Sequence, residues 1–248
     1  MIDPVIKNNG HTPDISQERY GIVLNLVKKI TKTAPRRLLD IGCSDGYFTS
    51  KLAEVSGAQE SFGVDYSQDM VKIAAGYGIK ASVVDIDREE KLPFESNYFD
   101  FIFCGSVIEL IEDPDKLLEE INRLLTDQGT LVITFPNLSC WANRIAVPLG
   151  FLPYRSIVSR TYNVGKLFVP VAEHRYKYGS FNRLLTLGAF KQLADKHNLS
   201  VVGKAGSGGY FAAGVCRLID SFLSKVAVLG FNLICVVKKK TRVSLRSL

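Results

Sequence analysis

The strongest constraint on the fold is an alternation along the chain. Short apolar runs recur at 36–41 (RRLLDI), 61–65 (SFGVD), 80–84, 99–104 and 131–135 (LVITF), the first four ending at or just before an acid or a glycine and the fifth ended by Pro136. Between them lie segments with helical periodicity at 47–55, 69–77 and 114–125, the last opening on Pro114, where a missing N–H costs nothing. Strands that alternate with helices in this way build βαβ units and a mostly parallel sheet. Runs that are apolar at consecutive positions belong to strands covered on both faces. Right-handed crossovers then make a doubly wound α/β sheet the expected architecture.

The same reading extends beyond this core. Residues 16–31 place Tyr20, Val23, Leu24, Val27 and Ile30 on one helical face. The alternation lapses over 137–180, a segment with Pro148, Pro153 and Pro170 and the aromatics Trp141, Phe151, Tyr154, Tyr162, Phe168, Tyr176 and Tyr178. It is too aromatic for a disordered linker and too long for a plain loop, which predicts a functional insertion after strand five. A helix follows over 187–197 with Thr186 as N-cap, then a strand at 200–204. Gly206–Gly209 (GSGG) lacks the Gly-Lys-Ser/Thr of a phosphate loop and reads as a flexible connection. Val215, Leu218, Ile219, Phe222, Val226 and Leu229 form an amphipathic stripe, expected to be a packed core helix rather than a membrane anchor. A last strand at 231–237 brings the count to seven. The organisation expected is a single domain over 1–248, with an N-terminal arm and helix at 1–34, a substrate-side insertion at 137–180 and a basic tail at 238–248.

Charge narrows the partners. The net charge is +6, but 238–248 carries +5 and 137–180 another +5, leaving −4 over the remaining 193 residues. A uniformly basic surface is excluded, so no nucleic-acid partner is expected. The basic tail leaves peripheral contact with anionic lipid open. The five cysteines are far apart, without a C-x-x-C pair, so no metal site is expected and a reducing, cytoplasmic compartment is. Residues 1–14 lack the apolar core of a secretory signal, and the longest nearly apolar run, 226–237, is shorter than the ~20 residues that span a bilayer.

In an open α/β sheet, ligands bind beyond the carboxyl ends of the strands. Strand one ends in Asp40-Ile-Gly42-Cys-Ser44-Asp-Gly46, strand two in Asp65-Tyr66-Ser67, strand three in Asp85-Ile86-Asp87 and strand four in Cys104-Gly105-Ser106. Gly42 and Gly46 allow a tight turn and close approach of a ligand. Asp65 lies 23 residues beyond Gly42, where an acid accepts both hydrogen bonds of a ribose diol. A dinucleotide site wants G-x-G-x-x-G; Ser44 and Tyr47 stand at its second and third glycines, so the turn suits a ligand with an ammonium and no phosphates. Asp85 and Asp87 with Arg88 and Lys91 read as a solvated turn rather than a metal pair.

These residues resemble the class I S-adenosylmethionine-dependent methyltransferases. LLDIGCSDGYFTSKL (38–52) resembles their first motif, GVDYS (63–67) the second, DIDREEKLPFESNYFDFIF (85–103) the third and fourth, and LLEEINRLLTDQGTLVITFPN (117–137) the helix and strand that follow. The TFPN element and Trp141-Ala-Asn143-Arg144 look most similar to MetW-like and glycan- or lipid-modifying members. The resemblance implies a Rossmann-like sheet with an antiparallel last strand, and S-adenosylmethionine as cofactor. It implies that Asp40 and the 42–46 turn (Gly42, Ser44, Gly46) hold the methionine part, Asp65 the ribose and Tyr66 the adenine face. It likewise implies that Asp85 binds the adenine amino group with Ile86 beside the ring, and that Cys104, Gly105 and Ser106 line the methyl-transfer face. Many relatives have Glu-His where this chain has Glu109-Leu110.

An oxygen nucleophile gains from a general base, by about 10²–10⁴-fold. The candidates are Glu109, His174 in the insertion and, behind them, His11. His197, at a helix C-terminus, reads as structural. Arg144, Arg155, Arg160, Lys166, Arg175 and Lys177 offer partners for a carboxylate or phosphate; the alternative is an aromatic mini-core with solvated charges. The expected function is O-methylation of a small or lipid-linked anionic acceptor such as a saccharide intermediate. The alternatives are a MetW-like cofactor-binding regulatory protein without turnover and, against Ser44 and Tyr47, an NAD-dependent oxidoreductase.

Overall fold

The computed structural model describes residues 15–156, 158, 164–168, 183–208, 211 and 214–240. Along these residues the chain forms α1 (Ile15–Ile30), β1 (Arg37–Ile41), α2 (Tyr47–Ser56), β2 (Glu60–Asp65), α3 (Gln68–Ala75), β3 (Lys80–Val83), β4 (Phe99–Gly105) and α4 (Pro114–Leu124). There follow β5 (Leu125–Pro136), α5 (Trp141–Ala146), α6 (Leu187–Lys196), β6 (Leu199–Ser207), α7 (Gly214–Leu223), a 3-10 turn (Ala227–Leu229) and β7 (Asn232–Lys239). The seven strands form one sheet in the order β3-β2-β1-β4-β5-β7-β6. β1 to β5 pair in parallel, whereas β7 runs antiparallel to both β5 and β6. The doubly wound, mostly parallel α/β sheet with an antiparallel last strand is therefore as expected.

Strand periodicity sorts the apolar side chains onto two faces. Leu38, Phe101, Phe103, Val132, Ile234 and Val236 point to one side, where Val23 and Val27 of α1 and Leu52 of α2 cover them. Leu39, Ile41, Ile102, Cys104, Leu131, Ile133, Leu233 and Cys235 point to the other, under Leu117, Leu118, Ile121 and Leu124 of α4 and Leu187, Phe190 and Ala194 of α6. Each fully buried Leu or Ile contributes about 1.5–3 kcal/mol. The caps agree with this packing. Asp113 accepts from the N–H of Lys116 at the start of α4, and Thr186 accepts from the N–H of Ala189 at the start of α6. His197 closes α6 and ties it to α4, with Nε2 2.7 Å from Asp115 Oδ1.

Three expectations are corrected, and the path of β7 adds a further point. β5 begins at Leu125, six residues early, because Leu125 pairs with Phe99 before a register shift restores the ladder at Phe101 and Thr130. Residues 206–208 of the GSGG stretch are not a flexible connection, and Gly209 lies outside the described residues. Gly206 and Ser207 belong to β6, and a Cβ on Gly206 or Gly208 would come within 3 Å of the 220–227 segment, so the glycines permit close packing. The amphipathic stripe is not a packed core helix: α7 stops at Leu223 and its apolar side faces outward. Finally, β7 carries the chain from the C-terminal end of β5, where Asn232 pairs with Pro136, to the opposite edge of the sheet. Its eight residues span about 25 Å. The basic tail therefore departs from the edge remote from α7. Among the described residues no helix is long and apolar enough to cross a membrane.

Candidate active site

The strand order reverses direction between β1 and β4, so the turns after these two strands flank the switch point where α/β sheets bind ligands. The turn after β1 is built from left-handed residues at alternate positions: Gly42 (φ 79°), Ser44 (φ 48°) and Gly46 (φ 77°). Gly46 has a second reason to lack a side chain, since a Cβ there would lie 2.7 Å from Ala74 Cα and Ile79 Cδ1. Ser44 takes the left-handed region without being glycine, and Ser106, after β4, does the same (φ 58°). Such conformations cost roughly 1 kcal/mol or more each, and non-glycine outliers of this kind cluster at functional sites.

Asp65 joins the first two turns. Its Oδ2 accepts from the N–H of Ser44 and its Oδ1 from the N–H of Ser67, each at 2.9 Å. Each carboxylate oxygen keeps a second lone pair, as a vicinal diol requires. Tyr66 beside it is 79% exposed, its ring standing clear of the core. Asp40 is buried under the same turn. Thr49 donates to its Oδ2 at 2.5 Å, and burial, reinforced by the charge of Asp65, pushes its pKa up to about 7 against the hydroxyl's opposing pull. Asp40 thus holds α2 to the end of β1 from below. Asp85 binds its own turn, accepting from the N–H of Asp87 and pairing with Arg88 at 3.3 Å, while Ile86 packs against the core. Asp87 accepts from the N–H of Glu112. No cluster of metal-ligating residues is present among the described residues.

The turn after β4 holds a second group. Arg19 of α1 donates to Ser106 Oγ at 2.6 Å, which brings a helix 87 positions earlier in the chain across the switch point. Glu109 is 2% exposed, and its Oε2 is buried without a hydrogen-bond partner among the described residues. Burial raises its pKa to about 7, opposed by its own backbone N–H, the charges of Arg19 and Arg155, and Ser106. The N–H of Arg183 reaches the carbonyl of Glu109, and its guanidinium the carbonyl of Glu112, so the segment is clasped from the far side of the insertion. Cys104 stands differently from its expected place on a ligand face: its side chain is fully buried in the core cluster and its thiol pKa is raised well above the ordinary value by that burial.

The insertion contributes packing. Trp141, Tyr154 and Phe231 are buried together with Phe168 and Phe211 against them, so these aromatics form a mini-core, while Phe151 is exposed. Arg144 donates to the carbonyl of Ser139 and Lys166 to that of Tyr154, while Arg155 is buried. His11, His174, Arg160, Arg175 and Lys177 lie outside the described residues. Arg19, Thr49 and Asn137 carry roles that sequence reasoning had not assigned. A basic residue off the apolar stripe of α1 was the only signal for Arg19.

Residues 39–133 match the family model for a methyltransferase domain. The chain carries a class I S-adenosylmethionine-dependent methyltransferase domain. It is 34% identical over 106 residues to a malonyl-[acyl-carrier protein] O-methyltransferase of Legionella pneumophila, over 42% of this chain and 37% of that one. It is 27% identical to a ubiquinone biosynthesis O-methyltransferase of Methylococcus capsulatus, over 59% of this chain and 63% of that one. The matched region spans less than half the length of the first of these relatives. Among solved structures, the PH0226 protein of Pyrococcus horikoshii has the same fold, with a TM-score of 0.63 at 20% identity over 96% of this chain and 97% of that one. So does a structure of the Haloferax volcanii Trm112 methyltransferase activator with a putative methyltransferase, with a TM-score of 0.62 at 16% identity over 91% and 92%. The site fits the cofactor that this domain uses, S-adenosylmethionine. The left-handed turn permits close approach, Asp65 retains acceptor capacity for a diol, and residues 42–47 of the turn contain no Lys or Arg to grip a pyrophosphate.

Proposed function

We propose that this chain transfers a methyl group to an oxygen of a small or lipid-linked anionic acceptor, such as a saccharide intermediate, in the cytoplasm. The observation that carries the reading is Glu109: a buried carboxyl with an unpartnered oxygen, its pKa raised to about 7, beside the turn that flanks the switch point. Such a group takes a proton from an acceptor hydroxyl near neutral pH, where a carboxylate of ordinary pKa is too weak a base. When bound, S-adenosylmethionine supplies a methyl group on a sulfonium, already activated toward displacement. Asp65 and Tyr66 hold the nucleoside end, and the 42–46 turn, seated on Asp40, holds the methionine end; Asp85 and Ile86 flank the adenine. Ser106, fixed by Arg19, orients the acceptor side. The charges of Arg19 and Arg155 around Glu109 favour an anionic acceptor. Both relatives described above are O-methyltransferases by name, which supports oxygen as the nucleophile. His174 is a second candidate base.

Two variants test the reading. Asp65→Ala weakens S-adenosylhomocysteine binding by about tenfold or more in calorimetry, since a diol contact and the clamp on Ser44 are lost together. Glu109→Gln leaves that affinity within about twofold, lowers kcat by about 10²–10³ and removes the limb of the pH–rate profile near pH 7. A Glu109→Gln protein with the parent's kcat and profile would remove Glu109 from the chemistry. A second reading, a cofactor-binding regulatory protein without turnover, is favoured by half-exposed Leu110, which stands where many relatives carry a histidine. Tight cofactor binding without turnover on any acceptor in a cell extract would select it.

A further inference from the structure

α7 is an amphipathic helix docked the wrong way round. Its inward side carries a buried acid: Asp220 accepts from Trp141 Nε1 at 3.1 Å and lies over Gly208, Leu223 packs against the Trp141 cluster, and Ser224, just past the helix, is buried beside them. Its outward side is apolar. Val215, Leu218 and Phe222 are 70–72% exposed, and Ile219 and Val226 continue the stripe at helical spacing. A surface helix ordinarily turns such a stripe to the core, and a contiguous exposed apolar patch of this kind marks an interaction surface. The flanking charges are Arg217 and Lys225, both exposed, and the only acid between 214 and 230 is the buried Asp220.

We propose that this face of α7 docks on a lipid surface of net negative charge. An apolar stripe bordered by exposed cations, with no exposed anion within 214–230, has the pattern of a helix that lies in the membrane interface. The placement agrees. Asp220 and Ser224 sit on the glycines at the end of β6, and Trp141 follows β5, so α7 lies at the same end of the sheet as the turns of the candidate site. Docking there turns that end toward the surface, where a lipid-linked acceptor resides. This last clause rests on the proposed function; the docking itself does not. Lys238 and Lys239, which open the basic tail, lie at the opposite end of the sheet, and the proposal assigns docking to α7.

The test is co-sedimentation of the full chain, without cofactor, with phosphatidylcholine vesicles that contain or lack phosphatidylglycerol. Binding to the anionic vesicles is expected, weakening with added salt. The Leu218→Ser/Phe222→Ser variant loses about tenfold or more in partitioning, while Lys238→Gln/Arg242→Gln/Arg246→Gln stays within about twofold of the parent. Because the replaced α7 side chains are exposed, its thermal midpoint and S-adenosylhomocysteine affinity stay those of the parent. Should that variant nevertheless misfold, a Phe222→Trp protein supplies the readout, its added fluorescence being quenched by brominated phospholipid. Failure of the wild-type chain to bind anionic vesicles overturns the proposal, as does loss of binding in the tail variant alone or unquenched Phe222→Trp fluorescence. A wild-type dimer in light scattering that the α7 variant dissociates would also overturn it and assign the face to a second copy.

Discussion

Two buried carboxyl groups, Asp40 and Glu109, have pKa values raised to about 7, and burial is the leading cause for both. They differ in what meets them. Thr49 donates to Asp40, which makes it a support for the turn, whereas one oxygen of Glu109 has no partner among the described residues, which leaves it open for a proton. The raised value carries a stability cost of defined sign. Below its ordinary pKa of 4.5, Glu109 is protonated in both the folded and the unfolded chain and has no effect. As pH rises toward about 7, the unfolded chain releases the proton while the folded chain keeps it, so stability falls, by about 3 kcal/mol for a shift of this size. Glu109→Gln removes that loss. Its urea midpoint is expected to exceed the parent's at about pH 8 and to approach it at about pH 4. Equal midpoints at the higher pH would show that Glu109 is not raised. The place of Asp65 beside the glycine turn was legible because its spacing from that turn is local along the chain. The orphaned oxygen of Glu109 was not, because burial is a property of everything packed around it.

At the scale of elements, the end of β5 and the segment before β7 are joined through one side chain. Asn137 is fully buried; its amide donates to the carbonyls of Val228 and Gly230 at 3.0 and 2.8 Å, and its oxygen accepts from the N–H and hydroxyl of Ser139. Asn137→Ala strands two buried carbonyls, so a loss of about 3 kcal/mol is expected in urea unfolding, with the apolar face of α7 left in place. A loss below about 1 kcal/mol would mean that water replaces the amide. The sequence showed the helices and strands well where one periodicity governs a whole segment, as in α4, whose Leu117, Leu118, Ile121 and Leu124 are all buried. It misplaced the start of β5, where a single pair, Leu125 with Phe99, extends the strand past a register shift. It also misassigned α7, because periodicity reports that a helix has two faces and is silent on which face the fold covers.

At the scale of the whole molecule, the antiparallel β7 sets the polarity of the surface. It passes from the site end of the sheet to the far edge, where Lys239 lies near Asn97 and Asp127. Removing residues 241–248 is therefore expected to leave S-adenosylhomocysteine affinity within about twofold and to keep vesicle binding, since neither depends on that edge. A tenfold loss of cofactor affinity in the truncated chain would show that the tail returns to the site.

Local covalent order determined the alternation of strands and helices, the glycine turn after β1 and the acids at the strand ends, because each is written in consecutive residues and in side-chain chemistry that acts over a few bonds. Only the tertiary structure decided that Arg19 meets Ser106, that Glu109 lies buried, that Trp141, Tyr154 and Phe168 of the insertion pack as a core, and that α7 turns its apolar side outward. Those outcomes depend on which distant segments exclude water from one another, and desolvation is a sum over neighbours that no stretch of the chain contains by itself.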